Sequence, residues 1–338
     1  MSRKRVDTGR RNLLQLATRT LIAAPALAAG WRVAGAEAAP AAIDAAAAGL
    51  ARRPLIIKKI PSTGERIPAI GIGTNQFRAE NYPDLKAVLQ RMHELGGKVI
   101  DSANDYFDSE MVVGRALTEL GIRKQQFVTT KFNAENGQPA WVPVAARDTI
   151  FGRESFERSL QRLQTDHVDL LFIHHLPSVH PLMPLLQELK KAGKARYIGI
   201  TTQMVNEHGD LLDKMKQYPI DFIQIDYSIA NRDAAETIFP VARERRIAIM
   251  VDTPFGGRRG PLLPGVLGQP LPPWAADIDV TSWSQFFLKY AISHPDVTCA
   301  IPGSTKVEHL VDNQLASRGR LPNAAMRKKM EQFWDARA

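Results

Sequence analysis

The stretch Lys98-Val99-Ile100-Asp101-Ser102-Ala103-Asn104-Asp105-Tyr106-Phe107-Asp108-Ser109-Glu110 sets the reading of the fold. It opens as a short apolar run, the pattern of a strand covered on both faces. A polar turn follows. From Ser109 to Leu120 the apolar residues Met111, Val112, Ala116, Leu117 and Leu120 recur at helical spacing. This unit of strand, loop and helix repeats along the chain. The spacing predicts strands at Ala69–Thr74, Lys98–Ala103, Phe127–Phe132, Val168–His175, Ala195–Thr202, Asp221–Ser228, Ala248–Pro254 and Val297–Pro302. Helical segments are predicted at Glu154–Leu163, Met183–Lys191, Leu211–Tyr218, Ala234–Arg245 and Ser282–Ser293.

Such alternation argues an α/β fold with a parallel sheet, and eight units in this length fit a (β/α)8 TIM barrel better than an open doubly wound sheet. The first strand also lacks the dinucleotide fingerprint of open sheets, because Gly71-Ile72-Gly73-Thr74 has no third glycine. An N-terminal β-hairpin is expected from Leu55–Lys59 and Glu65–Pro68 around Ser62-Thr63-Gly64, and a C-terminal helix from Ala325–Arg337 with Met326, Met330 and Phe333 inward. Two long stretches, Asn133–Ile150 and Gly256–Val280, leave the C-terminal ends of strands, where barrel active sites lie. Their Trp141 and Trp274 are read as pocket walls or as packing anchors.

The 338 residues are 44% hydrophobic and 23% charged, an ordinary globular balance. Of the formal +9 charge, +5 sits in residues 1–40. The remainder is too small and too spread for a nucleic-acid partner. Cys299 is the only cysteine, so no disulfide forms within the chain and no Cys-based metal site exists. No metal is expected.

Residues 1–38 read as a signal. Arg3-Lys4-Arg5 and the pair Arg10-Arg11 precede a weakly apolar run from Thr20 to Trp31, and Ala34-Gly35-Ala36 or Ala36-Glu37-Ala38 gives small residues at signal-peptidase spacing. The apolar run is about half of the roughly 20 residues a membrane span needs, so stable membrane insertion is not expected. The order resembles a twin-arginine export signal, which implies a periplasmic or exported protein and an encounter with the twin-arginine machinery. The alternative is a basic tail on a cytoplasmic protein. Residues 39–53 form an Ala-rich linker, and 54–338 the barrel, taken as a monomer.

Asp101, Lys131 and His174 each fall at the C-terminal end of a different predicted strand, and Tyr106 follows five residues after Asp101. In a barrel the four converge on one mouth. A nearby ammonium lowers a tyrosine's proton affinity from its usual value near 10. A carboxylate fixes the lysine, and a histidine can bond a carbonyl oxygen. The set suits proton donation to an oxygen that gains negative charge during hydride transfer from a cofactor. Taken singly, each has a structural reading: a cap, an ion pair, a packed aromatic, a core histidine.

The quoted stretch, followed by Val113-Gly114, resembles the aldo-keto reductase signature around its catalytic Asp and Tyr. Thr129-Thr130-Lys131 and Val168-Asp169-Leu170-Leu171-Phe172-Ile173-His174 resemble the segments that carry its Lys and His. Gly193-Lys194-Ala195-Arg196-Tyr197-Ile198-Gly199-Ile200 and Ile301-Pro302-Gly303-Ser304 are further family-like blocks, so the likeness runs from about Leu55 to Leu315. The resemblance implies a metal-free barrel that reduces aldehyde or ketone carbonyls with NADP(H). Tyr106 would be the general acid, aided by Lys131 and Asp101, with His174 orienting the small-molecule carbonyl substrate. It assigns cofactor contacts to Thr74, Thr201, Thr202, Gln224, Thr253 and Phe255, and, at the adenosine end, to Ser304, His309, Asp312 and Asn313. Two departures stand out. The aromatic residue that stacks on the nicotinamide falls at Asp252, and the phosphate-binding lysine and arginine fall at Gly303 and His309. NAD(H) is therefore the alternative cofactor, and a non-catalytic cofactor-binding or partner-binding barrel the alternative function.

Overall fold

The computed structural model describes residues 52–133, 144–257 and 260–337. The expected signal, the linker up to Ala51 and Trp141 lie outside the described residues.

Ten strands and nine helices are described. An antiparallel hairpin, β1 (Ile57–Lys59) and β2 (Arg66–Pro68), pairs Ile57 with Pro68 and Lys59 with Arg66. Eight parallel strands follow in sequential order: β3 (Ile72–Gly73), β4 (Val99–Asp101), β5 (Phe127–Phe132), β6 (Val168–Ile173), β7 (Ala195–Thr202), β8 (Phe222–Ile225), β9 (Ala248–Val251) and β10 (Val297–Ala300). Parallel bridges Ile70–Ala300 and Gly73–Gly303 join the last strand to the first, which closes the barrel. At that seam a Cβ on Gly73 would stand 2.9 Å from the Ile301 carbonyl oxygen, and on the opposite side of β3 one on Gly71 would stand 2.6 Å from the Val99 carbonyl oxygen of β4, so both glycines permit close backbone contact between strands. The (β/α)8 expectation holds.

The helices are α1 (Tyr82–Glu94), α2 (Ser109–Leu120), α3 (Val144–Arg162), α4 (Val179–Lys191), α5 (His208–Gln217), α6 (Asp233–Glu244), α7 (Trp283–Ser293), α8 (Val307–Leu315) and α9 (Ala324–Asp335). Helix α1 is additional to the predicted segments, although its buried Leu85, Val88, Leu89 and Met92 follow helical spacing. Ser282 starts α7 by accepting a hydrogen bond from the Gln285 N–H, and Asn323 starts α9 by accepting one from Met326. In α9 Met330 is fully buried, and Met326 and Phe333 pack beside it. No described helix is long and apolar enough to cross a membrane.

Alternation along each strand divides the core in two. Val128, Phe132, Leu171, Ile173, Ile223, Ile225, Ile249 and Val251 face the helices. Val99, Phe127, Leu170, Phe172, Tyr197, Phe222, Ala248, Met250 and Cys299 form a separate cluster that fills the barrel interior. Ile60 and Ile67 of the hairpin join this cluster, and Thr63 bonds the Tyr197 hydroxyl at 2.8 Å. The hairpin therefore stoppers the N-terminal end of the barrel. Each large apolar side chain so buried contributes roughly 1.5–3 kcal/mol.

Candidate active site

The period of two that fills the interior with apolar groups places polar ones at its C-terminal rim. Val99 is followed in phase by Asp101, Phe127 by Thr129 and Lys131, Phe172 by His174, Tyr197 by Thr201, Phe222 by Gln224, and Met250 by Asp252. Lys131 and Asp101 are buried, and Lys131 Nζ lies 2.6 Å from Asp101 Oδ2 and 2.8 Å from the Ser102 carbonyl oxygen. Asp101 Oδ1 accepts from Thr129 Oγ1 at 2.5 Å and from Gln224 Nε2 at 3.1 Å. Tyr106 enters from the β4–α2 loop, with Lys131 Nζ 4.9 Å from its ring centre and the His174 ring edge-on at 5.7 Å. The next residue, Phe107, has a left-handed φ of 49° and is exposed beneath Arg78. That conformation is uncommon for a bulky residue and marks a constrained turn beside Tyr106.

The four residues expected to converge do so. A cavity of about 260 Å³ is lined by Tyr106, His174, His175, Thr201, Thr202, Gln203, Gln224 and neighbours. Among the described residues none of its walls comes from the 256–280 segment. Trp274 instead packs against Phe286 and Phe333, so it is a packing anchor.

Electrostatics depart from the expectation at one point. Burial pushes the Tyr106 hydroxyl up to about 12. Lys131 pulls it down, but Asp101, Asp252 and Asp105 add to the rise. The ammonium thus moderates a desolvation effect and does not create an acidic tyrosine. Burial opposes charge on Lys131, yet Asp101 more than compensates and holds the ammonium above its ordinary value. Burial also lowers His174 and keeps the imidazole neutral, although Asp105, with Oδ2 3.2 Å from Nδ1, works the other way.

The expected cofactor contacts divide. Thr201, Thr202 and Gln224 line the cavity, and Thr202 also donates to Glu207. Thr74 is fully buried, with its hydroxyl donating to the Asp101 carbonyl at 2.8 Å and bonded to Ser109, so it acts as a strut beneath Asp101. Asp312 accepts from Ser282 and Gln285, both at 2.7 Å, and ties α8 to the start of α7. Asn313 is buried, His309 exposed, and Ser304 buried with its Oγ unpartnered. Thr253 and Phe255 are half-buried, and Phe255 packs on the apolar shell between strands and helices.

Sequence reading gave no role to Asp105, His175, Gln203 or Glu110. The Glu110 carboxylate accepts from Thr130 at 2.6 Å and faces Arg162 at 3.3 Å, which clamps α2 against β5 and α3. Burial raises its proton affinity against those bonds. The phase of Glu110, on the buried side of α2 beside Ser109, was a legible signal.

Comparison with known proteins supplies independent information. Residues 69–263 match the sequence profile of the Aldo/keto reductase family. The chain is 28% identical over 204 residues to the NADP(+) aldo-keto reductase yakc of Schizosaccharomyces pombe, a match that spans 57% of this chain and 59% of that relative. Its fold is similar to an aldo-keto reductase from Klebsiella pneumoniae in complex with NADPH, with TM-score 0.67, 23% identity, and coverage of 83% of this chain and 96% of that one. It is also similar to the holo form of an aldo-keto reductase from Bacillus halodurans, with TM-score 0.65, 21% identity, and coverage of 82% and 96%. With the profile spanning more than half of the sequence, and the buried Asp–Lys pair, tyrosine and histidine gathered at one mouth, the chain belongs to the aldo/keto reductase family.

Proposed function

We propose that the protein is an NADP(H)-dependent oxidoreductase that reduces aldehyde or ketone carbonyls to alcohols. The observation that carries the reading is the Tyr106 ring set 4.9 Å from an ammonium that is itself locked to a buried carboxylate. The residues present fit a dinucleotide. Ser304 Oγ is buried without a partner just before α8, whose N-terminus has no side-chain cap, an arrangement that suits a phosphate. Gln224 lines the cavity for an amide. The relative in S. pombe is named for NADP(+) and the K. pneumoniae structure contains NADPH, which favours NADP(H) over the alternative NAD(H).

When bound, the reduced cofactor supplies a hydride to the carbonyl carbon. As that bond forms, the carbonyl oxygen gains negative charge, and Tyr106 donates its hydroxyl proton to it. Lys131 stabilises the phenolate that results, and Asp101 keeps the ammonium in place. His174, neutral at physiological pH, orients the carbonyl oxygen. Alcohol and a phenolate are formed, and solvent reprotonates Tyr106.

The test is Tyr106→Phe. Turnover of a carbonyl screen with NADPH is expected to fall by about 10²–10⁴-fold, with NADPH affinity by tryptophan fluorescence unchanged. Equal turnover in both proteins would remove Tyr106 as the acid. Cofactor binding without turnover in the parent protein would favour the second reading, a non-catalytic barrel, which the Asp252 departure supports.

Export rests on Arg10-Arg11 ahead of the apolar run from Thr20 to Trp31. If it is correct, Arg10→Lys with Arg11→Lys retains the protein in the cytoplasmic fraction, and a tightly held cofactor is loaded before transport.

A further inference from the structure

Asp252 stands in phase with Ala248 and Met250, the interior residues of β9, and its N–H donates to the Ile225 carbonyl at 3.3 Å, so the ladder carries it to the rim facing inward. Neither carboxylate oxygen is exposed and neither is paired with a cation; the hydrogen-bonding group that favours the ionised form is the Gln203 side chain. The charged and polar groups around it come from four other elements. They are Asp226 after β8, Lys131 on β5, Asp101 on β4 and Gln203 after β7, with His208 behind Asp226 at 3.7 Å. Lys131 is the nearby cation, but two of its three donors are engaged by Asp101 and Ser102. A carboxylate with no cation partner in this setting is costly when ionised: burial pushes it up to about 7, with Asp226 and Asp101 adding to the rise and Gln203 and Lys131 opposing it.

A positive charge arriving at this rim would relieve that cost. A neutral group would not. An oxidised nicotinamide ring carries a delocalised positive charge, and a reduced one carries none. We propose that Asp252 makes the pocket select by charge, holding the oxidised dinucleotide in preference to the reduced one. The proposal rests on the dinucleotide reading above, and it biases the site toward alcohol oxidation as Asp252 ionises. The position is the one that the family resemblance gives to a ring-stacking aromatic, whose attraction for a cationic ring does not titrate with pH.

The test titrates the full chain with NADP⁺ and with NADPH by tryptophan fluorescence at pH 5.5 and 8.5. Both forms carry the same 2′-phosphate, so its titration cancels in the ratio of affinities. The preference for NADP⁺ is expected to rise about tenfold between the two pH values, the change that accompanies a shift of one unit in the proton affinity of Asp252. In Asp252→Asn the ratio should be flat. Calorimetry in two buffers of different ionisation enthalpy should show the parent protein releasing more proton near pH 7 on NADP⁺ binding than on NADPH binding, which decides the matter even if the variant fails to fold. Binding of both forms with a pH-independent ratio, or a pH-dependent ratio that survives in the variant, overturns the proposal and leaves the reductase reading intact. Binding of neither form overturns both.

Discussion

The Lys131 ammonium nitrogen lies 2.6 Å from Asp101 Oδ2, with both side chains buried inside the barrel. The pair leaves no room for a half-measure. Asp101→Asn keeps the shape but leaves the buried ammonium without its counter-charge, with only neutral oxygens such as the Ser102 carbonyl to accept from it. Breaking one partner of a buried pair costs about 3–5 kcal/mol, and loss of a positioned charge beside the acid should lower kcat/KM on the order of 10²-fold. Urea denaturation and steady-state kinetics read the two effects. A stability change within about 0.5 kcal/mol would mean that water enters to replace the carboxylate.

Asp252 also predicts a pH dependence of stability. Its folded proton affinity is raised from 3.8 to about 7, so between those values the folded protein holds a proton that the unfolded chain releases. The folded state is then disfavoured progressively as pH rises, and the penalty is complete above 7. Asp252→Asn removes the titration, so it should stabilise the protein by about 2 kcal/mol more at pH 8 than at pH 5. Thermal melts at the two values check this, and equal effects at both would show that the carboxyl titrates normally.

Asp105, His174 and His175 present donor atoms all within 4.8 Å of one another, and the two imidazoles stack at 4.6 Å. Burial favours neutral His174, and His174 in turn holds Asp105 below its ordinary value despite burial. Zinc added to the assay should therefore inhibit by capturing His174, with recovery on chelation. His175→Ala should weaken that inhibition about 10–100-fold. Identical inhibition curves for the two proteins would place the metal elsewhere.

Lys289 of α7 is fully buried and donates to three carbonyl oxygens, those of Ile278 and Arg318 at 2.8 Å and Arg320 at 2.7 Å. Burial lowers it to about 8, which still leaves it mostly charged at neutral pH. Lys289→Met keeps the stem and removes every donor. Leaving buried carbonyls unmatched should cost about 3 kcal/mol, visible as a lowered midpoint in urea. An unchanged midpoint would show that the carbonyls find solvent.

What was legible in the sequence followed from periodicity and from the strand ends. Asp101, Lys131 and His174 could be placed because each closes an apolar run whose period of two fixes its direction. Strand limits were less legible: the first run, Ala69–Thr74, pairs regularly only at Ile72–Gly73, because barrel closure bends the chain and leaves isolated bridges. Thr74 and Asp312 illustrate a deeper limit. Each is a polar residue near the site, and nothing local in sequence says that it also bonds Ser109, or Ser282 and Gln285. The rise in Tyr106 was hidden for a similar reason, since burial is a sum over partners distant in the chain.

The seam between β3 and β10 has a consequence for how the protein comes into being. Ile70 bridges Ala300 and Gly73 bridges Gly303, partners separated by 230 residues. During synthesis the early strands can pair with one another as they emerge, but the ring stays an open sheet with bare edges until the last strand arrives. Contacts so remote are slow to form, and bare edges invite pairing with other chains. Closure is therefore a late event for a nascent chain, and the interval before it is when a chaperone would matter most.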